Sequence, residues 1–157
     1  MRRDPSGRVS FERAGFNYRM TDLQAAIGLP QLAHLDDWLE QRRSLAERYH
    51  ELLADSACQL PPLTQGHSWQ TFMVRTPEGV DRDQLIQELR TRGVEANIGA
   101  QVLSELTYLS PYLRPAQLTH QLGARSLALP LCESYSDREL KVVVSALRGS
   151  LSALSKA

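Results

Sequence analysis

The sequence predicts a small α+β domain entered through a long helix. Three observations carry that expectation. A stretch that opens on a capping box repeats its apolar residues at spacings of three and four. Short runs rich in aromatic and branched residues lie between helical patterns of this kind. The elements follow the order helix, strand, helix, strand, strand, helix, with no internal repeat and no low-complexity segment.

Residues 1–20 contain Pro5, Gly7 and Gly15 and hold no sustained period, so they read as an extended arm. Thr21-x-x-Gln24 is the capping box: the hydroxyl and the side-chain amide each satisfy a free backbone amide of a first turn. Leu23, Ala26 and Ile27 begin the helix, and Pro30 is expected to kink or restart it, because proline cannot donate to the ladder. Leu32, Leu35, Leu39, Ala46, Tyr49 and Leu53 continue the stripe to about Asp55, giving a long kinked connecting helix over 21–55. The remainder, 56–157, forms the α+β domain. There Pro61-Pro62 breaks the chain, and residues 69–75 (WQTFMVR) read as a strand. Asp81-x-x-Gln84 caps a helix carrying Leu85, Ile86 and Leu89, which Gly93 ends in the left-handed region. Val94 to Ile98 reads as a second strand, followed by a long loop with Pro111 and Pro115. Gln117 to Arg125 is a short helix, Leu127 to Pro130 a third strand, and Ser136-x-x-Glu139 caps a final helix bearing Leu140, Val143, Val144 and Leu147.

Composition excludes several classes of function. Of 157 residues, 18 are basic and 18 acidic, so no net field draws the chain to nucleic acid or to an acidic membrane. No apolar run approaches a bilayer's thickness, and no apolar stretch follows the basic residues Arg2 and Arg3, so a cytoplasmic setting is expected. Cys58 and Cys132 form no C-x-x-C pair and read as reduced core thiols. His34, His50, His67 and His120 show no ligand spacing, and His34 and His50 are expected on the helix surface. Neither a hydrolase motif nor a phosphate-binding glycine loop is present, so no catalytic or metal-ligating residue is assigned.

The informative stretch is 15–29, GFNYRMTDLQAAIGL. It places Asn17 and Arg19 on an irregular segment just before a helix N-terminus. Arginine offers a rigid fork of donors suited to phosphate, asparagine adds a neutral donor, and a helix start contributes its dipole. The other reading of the same residues pairs Arg19 with a local carboxylate such as Asp22 and gives Asn17 to a turn.

This run resembles the segment that follows the catalytic region in DegT/StrS-type sugar aminotransferases, pyridoxal phosphate (PLP) enzymes of fold type I. The resemblance continues through Gln31-Leu32, the helix from Arg42-Arg43 to Leu52-Leu53, and Ser68-Trp69-Gln70-Thr71-Phe72. It extends over Pro77 to Asp81, Arg92 to Ala96, and Ser126 to Leu131, all in family order. It implies the C-terminal small domain of such an enzyme: a few-stranded, mostly antiparallel sheet with helices on one face, preceded by the long kinked helix. It also implies that Asn17 and Arg19 reach across a dimer to the PLP phosphate of the partner subunit. Gln70 corresponds to a position facing the substrate, where many relatives carry His. The family's loop of His and then Pro is replaced here by Leu103 to Tyr108, so the resemblance assigns no substrate contact to that loop.

Transamination on PLP needs a lysine that holds the cofactor covalently. The lysines here are Lys141, inside the final helix, and Lys156, next to the last residue, and neither has the expected neighbours. PLP is therefore expected only with a complementary large domain, on a separate chain or on an intact aminotransferase subunit, in a homo- or heterodimer. The alternative is a non-catalytic dimerisation or binding module, or a decayed orphan domain. In either case an apolar stripe that normally packs on the large domain is left to favour self-association.

Overall fold

Three helices start on the caps that the sequence announces. The computed structural model describes residues 2–3, 9–10, 18–106, 109, 111–114 and 116–155. Thr21 caps α1 (Asp22–Ala33): its hydroxyl oxygen accepts from the Gln24 N–H at 3.2 Å, and the Gln24 side chain accepts from the Thr21 N–H at 2.9 Å. Asp81 caps α3 (Arg82–Thr91), accepting from the amides of Asp83 and Gln84 at 2.8 and 2.9 Å. Ser136 and Glu139 form the reciprocal box that opens α5 (Asp137–Leu154). Local signals of this kind need no tertiary context.

The chain divides into two units, Met1–Leu35 and Asp36–Ala157. In the first, β1 (Arg2–Arg3) pairs antiparallel with β2 (Val9–Ser10), and α1 follows. Pro30 sits inside α1 and does not end it; a missing N–H removes one ladder bond, and the neighbouring bonds carry the helix through. The interruption falls one turn later at His34, whose N–H closes on the Gln31 carbonyl at 3.2 Å, a tighter closure than the α ladder.

The second unit begins within α2 (Leu35–Leu52) and contains a two-stranded antiparallel sheet of β3 (Phe72–Arg75) and β4 (Ser126–Leu129). Phe72 pairs with Leu129 and Val74 with Leu127, so the four buried side chains share one face of the sheet. Helices α3 and α5 pack together, and Leu85, Leu89, Leu140, Val143 and Leu147 complete one core with that face. From α2, Ala46 and Tyr49 join it; the Tyr49 ring stacks on Phe72 at 4.7 Å, and its hydroxyl donates to the Pro130 carbonyl at 2.7 Å. Charged contacts fasten the same helix: Arg42 to Glu133 at 3.2 Å and Arg48 to Asp137 at 2.6 Å. The second unit is a small α+β domain in which α2, α3 and α5 cover one face of an antiparallel sheet, in line with the expected fold.

Several elements differ from expectation. The strand expected over 69–75 begins only at Phe72, because buried Trp69 takes a left-handed φ of 50° that no strand accommodates. The strand expected from Val94 to Ile98 is a single bridge between Asn97 and Ala128. Val94 and Ala96 are buried by packing into the core without ladder bonds of their own. Gly93 behaves as expected: at φ 77° it lets its own N–H reach the Arg90 carbonyl and the Val94 N–H reach the Leu89 carbonyl, which closes α3. Helix α4 (Gln117–Arg125) spans the expected residues. His50 is half-buried, edge-on to Phe72 at 5.8 Å, and its Nε2 is buried without a partner among the described residues. Cys58 is a core thiol, whereas Cys132 is only partly buried, with its sulfur 3.2 Å from the Ser134 hydroxyl.

Candidate functional site

The Arg19 side chain is exposed on the irregular stretch that leads into α1, between exposed Tyr18 and Met20. Asp22 opens the helix three positions later, yet no ion pair joins them, and among the described residues no carboxylate pairs with Arg19. Asn17 lies outside the described residues. The helix N-terminus contributes less than the sequence suggested. Its capping box already engages the Thr21 and Gln24 amides, and Asp22 places a negative charge in the first turn. A phosphate-holding role in this unit therefore rests on the Arg19 fork, whose planar donors match phosphate oxygens.

The row of apolar side chains on α1 belongs to the same unit. Leu23, Ile27, Leu29 and Leu32 are each at least 60% exposed, and α1 has no buried residue.

In the second unit, Gln70 is exposed in the bend before β3. Its neighbour Trp69 is fixed by the indole, which is 2% exposed and 4.3 Å from the His67 ring, and by its backbone N–H, which donates to His67 Nδ1 at 2.9 Å. A non-glycine residue in the left-handed region stores strain of about 1–3 kcal/mol, and such strain persists only where packing enforces it. The result is that Gln70 leaves the strand line with its amide in solvent. No rule of residue type or spacing would have singled out Trp69 for this. Arg19 and Gln70 belong to different units, and each is described within its own.

Lys141 lies on the exposed side of α5, its ammonium 2.6 Å from Asp137. Asp137 also accepts from Arg48, and these two cations hold its carboxyl below the usual carboxylate range. A lysine ion-paired within the opening turns of a helix does not fit the role of covalent cofactor holder. No described helix is long and apolar enough to cross a membrane.

The model of the DegT/DnrJ/EryC1/StrS aminotransferase family matches residues 1–148. The chain belongs to this family. GDP-perosamine synthase of Caulobacter vibrioides is 32% identical over 154 residues, covering 92% of this chain and 41% of that protein. The chain thus spans about two-fifths of the length of this curated relative. Among solved structures, the aminotransferase TlmJ of Streptoalloteichus hindustanus superposes with a TM-score of 0.77 at 28% identity, over 93% of this chain and 40% of that one. The Bacillus subtilis protein NtdA, solved with bound cofactor PMP, gives 0.76 at 29% identity over 88% of this chain and 34% of its own. PLP and PMP forms both occur among the solved neighbours.

Proposed function

We propose that this chain supplies the small domain and the phosphate-binding arm of a PLP-dependent aminotransferase acting on keto-sugar nucleotides in the cytoplasm. A large domain on a partner chain completes it. The observation that carries the reading is the family match over residues 1–148 together with Arg19, a fork of donors in solvent with no carboxylate paired to it among the described residues. In this assembly Asn17 and Arg19 hold the PLP phosphate of the partner subunit, and Gln70 faces the sugar. When bound, PLP supplies the electron sink that lets an amino group move between carbons. This chain anchors the phosphate and shapes the substrate side, while the partner's lysine moves the proton.

The test has two arms. PLP added to the purified chain is expected to leave no borohydride-fixed label on the protein; a single labelled lysine would defeat the reading. Mixed with a separately purified large domain of a family aminotransferase that carries its lysine, the chain is expected to restore amino transfer to a keto-sugar nucleotide. Arg19→Ala is expected to weaken PLP retention by about 10-fold or more, the loss of one charge-assisted pair of hydrogen bonds. Restoration that is indifferent to Arg19→Ala would remove the arm from the mechanism.

A second reading, a non-catalytic dimerisation module, is favoured by the exposed leucines and isoleucine of α1. It expects sedimentation to show concentration-dependent association that Ile27→Glu abolishes. A monomer at all concentrations, with no binding to an intact family subunit, contradicts it.

A further inference from the structure

The fold brings together Ser104, Glu105 and His120, which no sequence motif connects. Ser104 and Glu105 lie in a 3₁₀ turn (Leu103–Glu105), and His120 lies in the first turn of α4. The Ser104 hydroxyl is 3.2 Å from His120 Nε2, and the Glu105 carboxylate is 2.6 Å from His120 Nδ1. A carboxylate only accepts, so Glu105 fixes the imidazole proton on Nδ1. Nε2 is then left as the acceptor, and the serine hydroxyl donates to it. Acid, base and hydroxyl stand in the order that activates a nucleophile.

The arrangement does not depend on the imidazole alone. Val102 is buried against Gly123 of α4, where an added Cβ would lie 2.2 Å from the valine methyl, so the turn seats on bare helix backbone. Ser104 is partly buried and His120 partly exposed, which leaves the hydroxyl reachable. A cavity of about 460 Å³ adjoins the turn, lined by Ile98, Val102, Glu105, Leu106, Gly123 and Ala124 among others. Arg82, Gln101 and Glu105 make its wall about half polar, and the apolar remainder has room for a short acyl chain.

We propose that Ser104, activated by His120 and oriented by Glu105, is a nucleophile toward small activated acyl esters, an activity separate from amino transfer. The serine oxygen bonds to the acyl carbon while its proton passes to His120 Nε2. The alkoxide or phenoxide leaves with that proton, giving an acyl-serine. Water then loses a proton to His120 as it attacks the acyl carbon, and the carboxylic acid and free serine are returned. Water is the co-reactant, and no oxidant or metal is required.

The test incubates the whole chain with p-nitrophenyl acetate at neutral pH, follows nitrophenolate release, and locates the acetyl group by peptide mass spectrometry. The expected result is one acetyl group on Ser104, absent in Ser104→Ala, with release slowed about 10²–10⁴-fold in His120→Ala, the usual range for a general base. Because His120 also ties the turn to α4, Glu105→Gln is the companion variant. It keeps an oxygen for Nδ1–H and is expected to preserve the far-UV spectrum and to slow acylation by a smaller factor. Acetylation confined to Lys141, Lys156 or the amino terminus overturns the proposal. So does a release rate unchanged in Ser104→Ala.

Discussion

Thr76 is fully buried, and its hydroxyl has no partner among the described residues, while its backbone is fully engaged. Its N–H donates to the Arg125 carbonyl, and its carbonyl accepts from Arg125 Nε and Nη2 at 2.9 and 2.7 Å. Two predictions follow from that imbalance. Thr76→Val removes an unsatisfied hydroxyl without changing volume and is expected to stabilise the chain by about 1 kcal/mol in urea unfolding. Arg125→Ala strips a charged donor pair from a buried carbonyl and is expected to cost about 2–3 kcal/mol in the same assay. Cys58 gives a pH-dependent counterpart. Burial pushes its thiol up from 9.0 to about 11, so the folded state keeps a proton that the unfolded state releases. Stability is therefore expected to be full below pH 9 and to fall as the pH rises from 9 to 11. Burial raises the Tyr49 phenol in the same sense, so the decline steepens above pH 10. Thiol reagent at pH 8 is expected to modify Cys132 and to reach Cys58 only on unfolding; equal rates would place Cys58 outside the core.

Helix starts and stops were the most legible elements, because a cap is decided by residues three apart. Thr21 with Gln24, Asp81 with Gln84 and Ser136 with Glu139 each act as the spacing implied, and Gly93 ends α3 through its positive φ. Ser136→Ala is expected to cost about 1 kcal/mol, read as a fall in thermal midpoint, because it frees the Glu139 amide. Strands were less legible. A stretch such as 94–98 has the apolar pattern of a strand whether or not a partner lies beside it, and only the fold decides that Asn97 alone bridges to Ala128. Trp69 escaped for another reason: aromatic residues favour strands, and core packing of its ring overrides that preference. For the candidate site, the sequence pointed to Arg19 through a run of neighbours. Ser104 and His120 are sixteen residues apart, and their hydrogen bond exists only after α4 folds back on the turn.

At the scale of the molecule, the hydrophobic core among the described residues lies within Asp36–Ala157, and α1 contributes no buried side chain. A chain starting at Asp36 is therefore expected to unfold in one cooperative step with a urea midpoint close to that of the whole chain. A midpoint lowered by more than about 1 M, a large fraction of a typical small domain's total, would show that residues 1–35 carry stability. Leu147→Ala, at the centre of α5, is expected to cost about 2–5 kcal/mol in both chains alike. The packing of one side chain also equips the protein for such measurements. Trp69 is sealed from water against an imidazole, and Trp38 is only partly buried. The indole in the core is expected to emit at shorter wavelength than the other and to shift to the red when the bend opens to water. Ultraviolet emission from the unlabelled protein is thus expected to report the integrity of the bend before Gln70.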